Sequence, residues 1–416
     1  MSTDLSRLST INQFQASELG VYSDAEASAD FNYSDGAESE QALLEILKNA
    51  RDLSSDSAEL QAKISDWPTE YHLSMARANL LRALDLTGVK RVLELGCGCG
   101  SITRYLGEQP GVVVDSVEGS PSRAALAKMR CRELEQVEIS TANFNEIQLP
   151  EAEYDLVLFV GVTEYAGRFS DALSDQEALN DLLEMGRRAC KADGVVLVAI
   201  ENRLGMKYAL GASEDHYALP FVGIENYPHS TGIRTYSKAE WIRQITNAGF
   251  REQTLLLPFP DYKIPTVVLR ENCEPQQAAL ALASIMSRDY SRSFCVGKSM
   301  GFAEAQLWNT LTQAHTLAEH SNSFMWLLGD DVKRIDAMAG RAVSEFDQPA
   351  IDYELPEPGD AAMRPRDAKL IEHLNAQITQ LESHSRNLEG KVAIMSNSIG
   401  WKFLNGIRRL FRKTTL

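Results

Sequence analysis

Between residues 91 and 270, short stretches rich in apolar residues at 92–95, 112–117, 137–141, 155–160 and 195–200 alternate with segments of helical spacing. Leu179, Leu182, Leu183 and Met185, within 177–190, show that spacing most clearly. Short apolar runs ended by turn residues are those of strands buried on both faces, and recurrence at three and four positions is that of helices. The alternation predicts helices over 101–107, 120–134 and 177–190, and a doubly wound α/β sheet. A helix closing at Asn247, Ala248 and Gly249 precedes two further runs, 253–257 and 266–270. These read as an edge pair that adds an antiparallel edge strand to the sheet.

The flanks carry other patterns. Residues 1–38 are rich in Ser, Asp and Glu with Arg7 the sole base, the composition of a disordered acidic leader. Residues 39–90 form a helical lid: Leu43, Leu44, Ile46, Leu47 and Ala50 fall at helical spacing, and a second helix covers 57–64. Residues 67–72 break the pattern, and Ser74 is placed to cap a helix running to Leu84. Beyond the sheet, a helix over 302–317 and a strand-like run at 324–328 make 271–329 an α/β cap. Pro349, Pro356, Pro358 and Pro365 mark 330–366 as a linker.

Within 367–399, Ile371, Leu374, Ile378, Leu381, Ser385, Leu388, Val392, Met395 and Ile399 are spaced three and four alternately. Ile or Val mostly at a and Leu mostly at d favours a parallel two-stranded coiled coil, hence a homodimer. The tail, 400–416, interleaves Trp401, Phe403, Leu404, Ile407, Leu410 and Phe411 with Lys402, Arg408, Arg409, Arg412 and Lys413 and has no acid. That is the composition of an interfacial helix on anionic lipid.

The 416 residues carry a net charge of −17, which argues against nucleic-acid binding by the body of the chain. No apolar run approaches the ~20 residues of a membrane helix, and the acidic N-terminus is no signal peptide. The six cysteines (97, 99, 131, 190, 273 and 295) have no C-x-x-C pair and no zinc spacing, so they read as reduced thiols of a cytoplasmic protein, with no metal site. The tail adds the expectation of peripheral contact with the inner face of the cytoplasmic membrane.

The densest chemistry lies between Arg91 and Glu118. Gly96, Gly98 and Gly100 follow the first apolar run, and glycine lets a backbone approach a ligand where a Cβ would clash. Glu118 ends the second run, where a carboxylate can accept from both hydroxyls of a ribose. A dinucleotide fingerprint would read G-x-G-x-x-G. Here the spacing is G-x-G-x-G, and Glu94 lies two residues before the first glycine.

That variant resembles the first motif of class I S-adenosylmethionine-dependent methyltransferases, whose cofactor is cationic and has no pyrophosphate. The resemblance implies a Rossmann-like sheet and S-adenosyl-L-methionine, with Gly119 beside Glu118. It places the adenine near the third strand's end, at Asn143 and Phe144. Narrower still, 67–270 resembles a bacterial methyltransferase family encoded with, or fused to, glycosyltransferases of surface-polysaccharide synthesis. The matching stretches include Tyr71-His72-Leu73-Ser74, Gly161 to Ala166, Glu201 to Tyr208, Glu214-Asp215-His216 and Pro258 to Pro265. Thr163 departs from the family's leucine. The family implies an O-antigen-like glycan or lipid-linked glycan acceptor and glycosyltransferase partners.

The long segment 201–234 after the fifth strand belongs at the sheet's ligand-binding edge and should build the acceptor pocket. Tyr71, His72, Arg203, Lys207, Tyr208, Asp261 and Tyr262 are its candidate substrate contacts. Methylating an alcohol oxygen releases a proton, so a base is needed. His216 is the leading candidate, oriented by Asp215 or Glu214, with Glu164 the alternative. A phosphate acceptor would need no base and would rely on Arg203, Lys207 and Arg234. A small-molecule methyltransferase, or a scaffold that binds the cofactor and positions synthesis partners, fits the same motifs.

Overall fold

The computed structural model describes residues 8–24, 36–144, 146–170, 172–228, 232–286, 304–340 and 343–346. The chain divides into two units, Met1–Leu355 and Pro356–Leu416. The second lies outside the described residues, and with it the expected coiled coil and basic tail.

The described strands are β1 (Gln15–Ala16), β2 (Tyr22–Ser23), β3 (Arg91–Leu95), β4 (Val113–Glu118), β5 (Val137–Thr141), β6 (Tyr154–Val160), β7 (Cys190–Glu201), β8 (Glu252–Phe259), β9 (Val267–Arg270), β10 (Ser323–Gly329) and β11 (Val343–Glu345). They form one sheet in the order β1-β2-β5-β4-β3-β6-β7-β10-β8-β9-β11. From β2 through β7 every pair is parallel. The order reverses about β3, which creates the crevice where ligands bind in such sheets.

The central parallel strands are buried on both faces. On β6, Val157 and Phe159 face one core with Leu179 and Leu183 of helix Asp175–Ala189 and Trp241 of helix Lys238–Asn247. Leu156 and Leu158 face the other, with Ile102, Leu106, Ala124 and Ala127. Helix Asp175–Ala189 starts at Ser174, whose side chain accepts from the Glu177 N–H, and its last turn carries Arg187 and Arg188. Both features satisfy the helix ends and its dipole.

Four expectations are corrected. The expected pair β8–β9 is antiparallel, but it does not join β7 directly and β11 lies outside it at the edge. Ser323–Gly329, expected in a separate cap over 271–329, lies between β7 and β8, antiparallel to both, with all seven residues buried. The sheet therefore draws on residues well past 270. Second, residues 8–24 of the supposed leader are ordered. Leu8 is fully buried, and Tyr22 pairs with Ser140 of β5. A few apolar anchors suffice there, whatever the average composition. Third, 67–72 does not interrupt helix formation. Trp67–Leu73 is a helix, started by an Asp66–Thr69 capping box with Pro68 in its first turn. Fourth, the linker expected from 330 begins as structure. Helix Val332–Met338 buries Ile335 and Met338, and β11 pairs with β9.

Candidate active site

The glycine turn after β3 brings three glycines to the carboxyl edge, for two different reasons. A Cβ on Gly96 would overlap the Val162 side chain, and one on Gly100 would lie 2.7 Å from the Ala127 backbone. Those two permit close packing. Gly98 differs, because a Cβ there would meet no atom within 4 Å. Its φ of 54° and its open side are what a ligand pressed against backbone requires.

Glu118 closes this loop from β4. Its Oε2 accepts from the Gly98 N–H at 2.7 Å and its Oε1 from the Ser120 N–H at 3.0 Å. Burial raises its carboxyl above the usual range, against the pull of Arg123. Glu94 has another task. Its Oε2 accepts from Thr103 Oγ1 at 2.6 Å and Ser116 Oγ at 3.1 Å, tying helix Ser101–Gly107 to β4. Burial pushes it up to about 7. Gly119, Asn143 and Phe144 follow the ends of β4 and β5 at the same edge, and Phe144 is half-buried. The open side of Gly98, the carboxylate beside it and the β5 terminus fit a nucleoside-bearing ligand.

Next to this loop, the ends of β6 and β7 hold a buried charged cluster. The side chains of Glu164, Glu201, Glu214, Asp215 and Asp261 are each at most 8% exposed. Facing these five carboxylates are Lys207, Lys263 and His216. Lys207 Nζ donates to Asp215 Oδ2 and Asp261 Oδ2, both at 3.0 Å. Lys263 Nζ bonds Glu201 Oε1 and reaches Asp215 Oδ2 at 3.2 Å. Tyr208 also donates to Asp215, at 2.9 Å. Burial opposes the Asp215 charge, yet Lys207 and Lys263 outweigh it and hold the carboxyl far below its usual range.

His216 sits between two carboxylates. Nδ1 lies 3.0 Å from Glu214 Oε1, and Nε2 lies 3.5 Å from Glu164 Oε1. Burial disfavours its charge, but Glu214 and Glu164 prevail and hold the imidazole well above its usual range. Asp215 was expected to orient His216; its side chain instead bonds the two lysines and Tyr208. Glu164 Oε2, Glu201 Oε2 and Thr163 Oγ1 are buried and have no hydrogen-bond partner.

The expected substrate contacts divide. Asp261 joins the cluster, and the Tyr262 hydroxyl lies against the backbone of Gly161, where a Cβ would come within 2.7 Å. Tyr71 accepts from Arg77 Nη2 at 3.1 Å, and Arg77 Nη1 also bonds the carbonyls of Tyr262 and Lys263. His72 Nε2 lies 3.7 Å from Cys99 Sγ, so the 67–74 segment does touch the glycine turn. Arg203 is not offered to a ligand. It pairs with Glu240 at 2.7 Å and the Gly223 carbonyl. Sequence reasoning did not single out Glu201 and Lys263 as site residues. Their charge types were visible, but their meeting depends on β7 and the 260–265 loop converging.

The family model described as a methyltransferase domain matches residues 93–196, from β3 into β7. This stretch is a methyltransferase domain of the S-adenosylmethionine-dependent class, with S-adenosylmethionine as its cofactor. Trans-aconitate 2-methyltransferase of Mycobacterium tuberculosis is 30% identical over 95 residues, which cover 23% of this chain and 34% of that enzyme. The chain thus spans about a third of the length of the curated relatives it matches. Among solved structures, phosphoethanolamine N-methyltransferase 2 of Haemonchus contortus aligns at 15% identity, covering 62% of this chain and 52% of that one, with a TM-score of 0.36. A possible histamine N-methyltransferase of Thermotoga maritima aligns at 15% identity, 62% and 88% coverage and a TM-score of 0.35.

Proposed function

We propose that this protein methylates a hydroxyl oxygen on a surface-glycan precursor, with S-adenosylmethionine as donor. The observation that carries this reading is the adjacency of the open Gly98–Glu118 loop to the buried Glu164–His216–Glu214 row. Bound at the loop, the cofactor supplies an electrophilic methyl group. Glu118 holds the ribose hydroxyls, Gly98 admits the ligand to backbone contact, and Asn143 and Phe144 take the adenine.

The charged cluster selects the acceptor. Lys207 and Lys263 are committed to Asp215, Asp261 and Glu201, and carboxylates outnumber ammoniums. An anionic acceptor, carboxylate or phosphate, would therefore enter a site of its own sign. Arg203, which a phosphate would need, is tied to Glu240, whereas Arg234 bonds Asn226 through Nη2 and keeps its Nε unpaired. A neutral hydroxyl meets no such barrier. Its proton passes to the Glu164 carboxylate. Both nitrogens of His216 face carboxylates, so His216 is assigned to orienting Glu164 rather than to taking the proton. The glycan class rests on the resemblance of 67–270 to polysaccharide-associated methyltransferases. Glycosyltransferase partners, a coiled-coil homodimer and tail contact with anionic lipid belong to the same proposal.

The test is transfer of radiolabelled methyl from S-adenosylmethionine to lipid-linked glycan. Glu164→Gln should lower turnover by roughly 10²–10⁴-fold and spare affinity for S-adenosylhomocysteine. A near-wild-type rate in that variant contradicts the assignment of the proton. Label entering only small organic acids contradicts the acceptor.

A further inference from the structure

We propose that Glu164, Glu201 and His216 form a binding site for one divalent cation of the Mn²⁺ or Zn²⁺ kind. One ligand atom from each of the three lies within 4.8 Å of the other two. Proximity of acids alone means little, but two further observations point to a ligand. Glu164 Oε2 and Glu201 Oε2 are buried and bonded to nothing, although Glu164 and Glu201 are only 3% and 1% exposed. A buried carboxylate oxygen without a partner is costly, and a bound cation removes that cost.

The second observation concerns the imidazole. Glu214 Oε1 lies 3.0 Å from His216 Nδ1, which leaves Nε2 directed at Glu164. A carboxylate on one ring nitrogen with the other turned to the site is the arrangement that fixes a metal-binding histidine. Glu214 is itself held in place by Tyr227 and by the backbone N–H groups of His216 and Tyr217. Lys263 occupies Glu201 Oε1 and leaves Oε2 free. Two carboxylates and one imidazole suit Mn²⁺ or Zn²⁺ better than an all-oxygen ion such as Ca²⁺. The three ligands come from the ends of β6 and β7 and from the 201–234 insertion, so no local spacing announces them.

Binding needs His216 as the neutral imidazole, so any proton on Nε2 leaves to solvent as the cation enters, and the shared cation then takes over from the Nε2–Glu164 contact in holding Glu164 in place. Glu164 offers one oxygen to the cation and keeps the other for the acceptor's proton. What the cation would do there rests on the methyl-transfer reading: it would lower the pKa of an acceptor hydroxyl bound to it. The binding itself does not depend on that reading.

The experiment is a titration of full-length, chelator-treated protein with Mn²⁺ alone, following free Mn²⁺ by electron paramagnetic resonance. One saturable site per chain is expected. Glu201→Gln and Glu164→Gln should each weaken it at least about 10-fold, and Glu214→Gln by roughly 10–100-fold through loss of the imidazole's anchor. Circular dichroism identifies any variant that fails to fold, and the remaining ones carry the comparison. Absence of a saturable site in the wild type, or equal affinity in the folded variants, overturns the proposal. Calorimetry with S-adenosylhomocysteine on the same samples reports separately on the methyltransferase reading.

Discussion

At the residue scale, Glu94 and Gly98 make separable predictions. Glu94 ionises near 4.5 when exposed, and burial pushes it up to about 7 in the fold. A raised carboxyl favours the folded state fully below 4.5, and that advantage is lost as pH rises through 7. Wild-type stability should therefore fall across that window by on the order of 3 kcal/mol relative to Glu94→Gln. Glutamine keeps an oxygen for Thr103 and Ser116, so thermal melts of the two proteins from pH 4.5 to 8 check the difference. Parallel melts contradict it. Gly98→Ala places a methyl where no protein atom lies within 4 Å. Its left-handed backbone costs about 1–2 kcal/mol of stability. Affinity for S-adenosylhomocysteine should fall well beyond that cost, because the methyl enters the ligand's space. Calorimetry beside a thermal melt separates the two effects. Gly98 and Glu118 were legible in the sequence because a turn and the next strand's end are local features. The Glu201–Lys263 contact was not, since it depends on segments some sixty residues apart.

At the element scale, β10 decides where the fold ends. Its seven residues pair with β7 on one side and β8 on the other, and Trp326 is 2% exposed. A chain cut after Arg270 would leave those two strands without the partner between them. It should fail to fold, whereas a chain cut after Phe346 should melt cooperatively. Circular dichroism melts of both distinguish the outcomes, and a cooperative melt of the shorter chain contradicts the topology. Trp326→Ala should cost roughly 3–5 kcal/mol. The apolar run at 324–328 was visible as a buried strand, but its insertion between β7 and β8 was not. Neighbouring runs in sequence invite pairing with each other, and the order of strands across a sheet has no local signature. The same limit hid β2, whose place beside β5 rests on two paired residues.

At the scale of the whole molecule, an acidic chain of net charge −17 ends in a segment rich in bases and aromatics. The heptads at 371–399 predict a parallel dimer, which would bring two such tails together and strengthen their hold on anionic lipid. Each base near the surface adds about 1 kcal/mol. Light scattering should find a dimer for the full chain and a monomer for a chain cut after Arg366. Only the former should float with anionic liposomes, less so at high salt. Among the described residues, no helix is long and apolar enough to cross a membrane. A full-length monomer that stays off liposomes would contradict this arrangement.

The central expectation is that S-adenosylmethionine binds at the glycine turn between β3 and helix Ser101–Gly107, held by Glu118 at the end of β4. Calorimetric titration with S-adenosylhomocysteine tests it most directly, in wild type and in Glu118→Ala. The wild type should bind one equivalent per chain. The variant should lose about 1.5–3 kcal/mol with the charged acceptor of the ribose hydroxyls. Unchanged affinity in Glu118→Ala, or tight binding of NAD by the wild type, would contradict the account.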